Sequence, residues 1–178
     1  MKYILILVMM FGSLSADSSE DFKASVLIGI GINAYKEGNK TRALEMFNYG
    51  CDKGSVNGCY NAAIMYGKGD GIRKDLKKAL KLFTKACNGG HIEGCYNLGT
   101  IYYHGKGVRQ DKKKAKDAYI KACDGGSASG CYNLGTIYYH GKGVRQDKKK
   151  AKEYFGLACD GGNNEGCSNY KIINEEGF

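Results

Sequence analysis

Eight cysteines stand at 51, 59, 87, 95, 123, 131, 159 and 167, as four Cys-x7-Cys pairs displaced from one another by 36 residues. The residues between them repeat as well: Gly94 to Lys116 (GCYNLGTIYYHGKGVRQDKKKAK) recurs without a change as Gly130 to Lys152. Self-similarity at a period of this size marks an array, in which one supersecondary unit cannot bury its apolar face alone and does so by stacking on its neighbours.

Two kinds of helical segment alternate within each unit. In one, helix B, apolar residues fall at i, i+3, i+4, i+7 and i+8: Ala115, Ala118, Tyr119, Ala122 and Cys123, echoed by the stripes ending at Cys87 and Cys159. Asn39, Asp75, Asp111 and Asp147 precede the four copies where an N-cap oxygen would satisfy free amides. Paired glycines at 89–90, 125–126 and 161–162 follow the last turn, where a positive φ ends a helix. The other segment, helix A (GCYNLGTIYYHGKG), is apolar nearly all round and is expected to lie between its own helix B and the helices of adjacent repeats. At about 100° per residue Cys95, Leu98, Gly99 and Tyr102 gather on one side, with Asn97, Thr100 and His104 opposite and Ile101 at the edge. Gly99 and Gly135 are costly inside a helix and predict close approach of another helix. The repeats predicted are about 24–57, 58–93, 94–129 and 130–165, followed by a cap at 166–178.

A cysteine at the end of helix B and another in the first turn of the next helix A are brought together by the short turn between them. Pairing across the longer gaps would leave Cys51 and Cys167 single, so the expected disulfides are Cys51–Cys59, Cys87–Cys95, Cys123–Cys131 and Cys159–Cys167. Zinc is disfavoured because only His91 lies between the members of any pair, and a nucleophilic thiol because no cysteine is left over. No cofactor and no metal are expected.

Met1, Lys2 and the apolar run Tyr3 to Phe11, followed by Gly12 to Ala16, read as a secretory signal peptide (1–16) cleaved after Ala16, leaving a repeat domain at 17–178. That run is too short to span a bilayer, and no cysteine precedes Cys51 to carry a lipid. Paired cysteines suit the same oxidising destination, periplasmic or extracellular. The formal net charge of +9 would point to nucleic acid in an intracellular protein. For an exported chain, anionic lipid, glycan or acidic protein surfaces replace it, and nucleic acid is not expected as a partner.

YNLG, YYHGKGV, a polar turn and a helix ending in Ala-Cys together resemble the Sel1-like repeat, a relative of the tetratricopeptide unit. The cysteine pair at that spacing behind a leader is similar to the Helicobacter cysteine-rich protein family. The resemblance runs from about Asp21 to Glu176; the first repeat departs from it, since Tyr35 to Ala43 is four residues shorter than Tyr103 to Ala115. It implies an all-α, right-handed α/α solenoid of four helix pairs plus a C-terminal capping helix, monomeric, with one disulfide per repeat. It also implies two functions: an adaptor whose concave groove holds an extended peptide or protein, or a weak β-lactamase that binds a β-lactam or a peptidoglycan-related small molecule.

For the enzyme, acyl transfer needs an activated hydroxyl and an oxyanion site. One Ser-x-x-Lys exists, Ser168 to Lys171, which nine serines in a lysine-rich chain would produce by chance; no Lys-Thr-Gly accompanies it. For the binding module, Asn61, Asn97 and Asn133 recur on helix A, where an amide can grip an extended main chain through paired donor and acceptor contacts. Ile64, Ile101 and Ile137 would offer apolar contact beside them, with His104 and His140 at the loop end. Lys112, Lys113, Lys114 and Lys116, with Lys148, Lys149, Lys150 and Lys152, line the start of helix B as a solvated face or an anionic-partner surface.

Overall fold

The structure is a computed structural model that describes residues 22–178; the expected leader and cleavage site lie outside the described residues. Those residues form nine helices and no strand: α1 (22–36), α2 (Lys40–Asp52), α3 (Val56–Lys68), α4 (Leu76–Asn88), α5 (Ile92–His104), α6 (Lys112–Asp124), α7 (Ala128–His140), α8 (Lys148–Asp160) and α9 (Asn164–Glu175). They fall into two compact units, one up to Asp75 and one from Leu76 to Phe178.

Local chemistry explains where the helices begin. Asn39, Asp111 and Asp147 accept the amides of Arg42, Lys114 and Lys150 through their side chains, opening α2, α6 and α8. The alternate helices have their own series, in which Ser55, His91, Ser127 and Asn163 accept from the amides of Gly58, Gly94, Gly130 and Gly166. Helix B ends two residues before the positive φ, which falls on the second glycine of each pair, as at Gly126 (φ 94°) after Asp124.

In the first unit α2 packs on α3. Cys51–Cys59 joins the two, and Phe47 is buried against Gly31 of α1. In the second unit each helix packs on the next from α4 to α9, and α7 also touches α9. Cys87–Cys95, Cys123–Cys131 and Cys159–Cys167 bridge α4 to α5, α6 to α7 and α8 to α9, with Cα separations of 4.4, 4.7 and 4.5 Å. The core of this unit is built on Tyr119, Leu134, Ile137, Phe155 and Ile173. Among the described residues no helix is long and apolar enough to cross a membrane.

Candidate functional site

Alternate helices α5, α7 and α9 repeat one another at 36 residues, so their half-buried asparagines Asn97, Asn133 and Asn169 hold one register position, as Asn61 does on α3. None of the four side chains makes a hydrogen bond within the described residues. They are donor–acceptor pairs left to solvent or to a ligand. The sequence series 61, 97, 133 extends to 169 by the same period; reading the last segment only as a cap passed over it.

Between α7 and α9 the surface opens into a cleft of about 340 Å³. Tyr132, Thr136, Tyr139 and His140 of α7 form one wall, Asn169, Ile172 and Ile173 of α9 the other, and Phe155 of α8 the floor. Thr136 turns its hydroxyl back to the Tyr132 carbonyl at 3.1 Å, as Thr100 does to Tyr96 at 3.0 Å, so the wall presents mainly aromatic edges. Tyr119, at the α6 position matching Phe155, also shares a 3.2 Å hydrogen bond with Thr100. Burial pushes its phenol up to about 12, against the opposing pull of that bond.

His104 and His140 are exposed at the last residue of α5 and α7, each edge-on to the preceding tyrosine at 5.0 Å. Ile101 and Ile137 correct the sequence expectation: they are 9 % and 0 % exposed and belong to the core. A wheel drawn for one helix places them at an edge, but α5 and α7 are flanked on both sides, so that edge is closed. The exposed apolar contact in the cleft is Ile172 instead.

Ser168 and Lys171 both lie exposed on α9. The Ser168 hydroxyl donates to the Asn164 carbonyl at 3.0 Å and the Lys171 ammonium lies 3.9 Å from Glu175, so each is engaged elsewhere. This arrangement lacks the nucleophile–base contact that acyl transfer requires.

The lysine runs split into several roles. Lys112 and Lys148 are half-buried beside Tyr103 and Tyr139; Lys114 and Lys150 lie 5.3 and 5.5 Å over the rings of Tyr102 and Tyr138; Lys113 and Lys149 are exposed. Lys116 pairs with Asp117 at 3.3 Å, and Lys152 reaches the Asn174 side chain and the Phe178 carbonyl.

Paired helices clasped at 36-residue intervals, with alternate helices presenting an unbonded amide row, define a repeat protein of the solenoid class. The Sel1 repeat pattern matches residues 56–91, 92–127 and 128–163, more than half of the chain, which therefore belongs to the Sel1 repeat family. Cysteine-rich proteins of Helicobacter pylori are among its relatives. The chain is 30 % identical to the solved cysteine rich protein B, with a TM-score of 0.58 over 72 % of this chain and 92 % of that one. It is 45 % identical over 52 residues to HcpC, whose name carries a provisional β-lactamase label; the match spans 29 % of this chain and 18 % of HcpC. A protective antigen of uropathogenic Escherichia coli shares the fold, with a TM-score of 0.81 at 24 % identity over 87 % of this chain and 34 % of the antigen.

Proposed function

We propose that this chain is an exported, disulfide-stapled scaffold that holds an extended peptide or protein segment along the open face of α5, α7 and α9. The observation that carries this reading is the series Asn97, Asn133 and Asn169, three half-buried amides at equal sequence intervals without internal hydrogen bonds. A half-buried amide that meets only solvent can exchange its water contacts for the donor and acceptor of a peptide backbone. The aromatic cleft beside Asn169 supplies apolar contact for the side chains of the same segment. Repeat arrays use surfaces of this kind for extended partners. Four disulfides suit an extracytoplasmic setting, as do the cysteine-rich Helicobacter relatives.

The β-lactamase reading draws support from the names of relatives such as HcpC and HcpE, and the Ser168–Lys171 geometry adds none. Binding of an extended-peptide library to the disulfide-intact chain tests the scaffold. Replacing Asn97, Asn133 and Asn169 together by Ala is expected to weaken the selected peptides at least about tenfold, each amide contributing on the order of 1 kcal/mol. Unchanged binding would remove this face from the function.

A further inference from the structure

We propose that Tyr103, Lys112 and Lys142 form a receptor for a carboxylate, so that the scaffold selects an acidic residue in its partner; this rests on the peptide-binding reading above.

The chain sets a tyrosine at the end of one helix against a lysine at the start of the next in three of its four helix pairs: Tyr35 with Lys40, Tyr103 with Lys112, Tyr139 with Lys148. Two of these pairs hold a carboxylate supplied by the following repeat. The Lys40 ammonium stands 3.1 Å from the centre of the Tyr35 ring, and Asp70 accepts the Tyr35 hydroxyl and lies 3.4 Å from Lys40. Lys148 meets Glu176 at 2.8 Å while the Tyr139 hydroxyl donates to its other oxygen at 3.5 Å. These acids come from different backbone positions, a loop after α3 and the end of α9, yet reach the same pair of groups. The Asp70 carboxyl is held below its ordinary value first by the Tyr35 hydroxyl and then by Lys40, against desolvation; Lys148 is held above its own first by the bond to Glu176.

The middle pair holds no acid among the described residues. The residue matching Glu176 is His140, and the one matching Asp70 is Lys142, whose ammonium lies 5.9 Å from the Tyr103 ring. Lys112 stacks 3.3 Å over Tyr103 and turns back on that residue's own carbonyl at 2.7 Å. Residues 94–116 and 130–152 are identical, so Lys112 and Lys148 differ only through what the next repeat offers them. The nearest carboxylate in the loop, Asp111, is committed to capping α6 and pairing with Lys114 at 3.7 Å. The Tyr103 hydroxyl has no partner among the described residues. Two ammonium groups and a free phenol therefore converge at the end of α5, on the edge of the amide row. An incoming carboxylate would exchange the Lys112–carbonyl contact, whose acceptor is neutral, for one in which both partners are charged. At this exposure the effect falls on selectivity more than on affinity.

The test is selection from a random extended-peptide library on the full chain with its disulfides intact, on K112Q/K142Q, and on K113Q/K149Q as a control for total charge. Peptides chosen by the native chain are expected to carry Glu or Asp whose change to Gln or Asn weakens binding about fivefold, the scale of a partly exposed charged pair. K112Q/K142Q should bind both versions alike, the control should behave as native, and E176Q, which frees Tyr139 and Lys148, should deepen the acidic preference. Peptides selected without acid dependence, or an acid dependence that survives in K112Q/K142Q, overturn the receptor and leave the scaffold standing. Weakening shared equally by the control indicates a general polyanion surface and also overturns it. Failure to select any peptide overturns both readings.

Discussion

Tyr119 packs so tightly on Gly99 that a Cβ on residue 99 would stand 2.6 Å from two carbons of its ring; Gly135 bears the same relation to Phe155. The glycines lie inside α5 and α7, where they weaken the helix, and the gain is a helix spacing that no side chain permits. Gly135→Ala is therefore expected to destabilise the fold by about 1–3 kcal/mol despite its better helix propensity. Urea unfolding of the single variant and of G135A with F155L, which should recover part of the loss, checks this. A neutral or stabilising Gly135→Ala would contradict the packing.

The buried phenol of Tyr119 makes stability depend on alkaline pH. Its folded value is raised to about 12 against an ordinary 10, chiefly by burial, so the folded state keeps its proton after the unfolded chain has lost it. The stabilisation is complete below pH 10 and declines as pH rises from there toward 12. Tyr119→Phe, which gives this position the residue already used at 155, should flatten the decline in thermal melts over that window. An unchanged alkaline profile would show that another group carries it.

His91 caps α5 through Nδ1, which accepts the Gly94 amide at 3.1 Å and so must be unprotonated, although Glu93 lies 3.3 Å from the same nitrogen. Burial prevails over Glu93 and holds the imidazole below its ordinary 6.5. With the folded value depressed, the cap is intact above pH 6.5 and its stabilisation is lost as pH falls through the folded value. His91→Ser installs the cap found at 55 and 127 and should abolish this acid-side slope in stability measured from pH 7 downward. A slope that persists in the variant would refute the assignment.

Each disulfide closes a loop between residues eight apart. Replacing Cys123 and Cys131 together by Ser should cost about 2–3 kcal/mol, the entropy of one small loop. Denaturant titration without reductant measures it. A cost near zero would mean that helix packing alone holds α6 to α7.

Much of this architecture was legible along the chain because its determinants are local. Asn39, Asp111 and Asp147 act within three residues, and the turn joining helix B to the next helix A forces the neighbouring half-cystines together. The proposed binding face was legible only in part. Asn97 and Asn133 of that face stand at one register position of the 36-residue period, and Asn169 obeys the same rule. Ile101 and Ile137 depart from the helical-wheel expectation because a wheel counts the faces of one helix, whereas a helix flanked on both sides buries its edges too. The lysine runs look uniform in sequence, yet Lys112 and Lys113 lead different lives because one points along a tyrosine and the other into water.

The repeat period, the helix limits and the clasping of consecutive helices were determined by the chain itself, since each depends on contacts within a few residues or one turn. Tertiary structure alone decided which edge of α7 became a cleft and which tyrosine–lysine pair received an acid. The partners in those choices stand far off along the chain: Glu176 lies 28 residues from Lys148 and 37 from Tyr139. Two stretches of identical sequence therefore end in different states, because electrostatic satisfaction depends on what the adjoining repeat brings within reach.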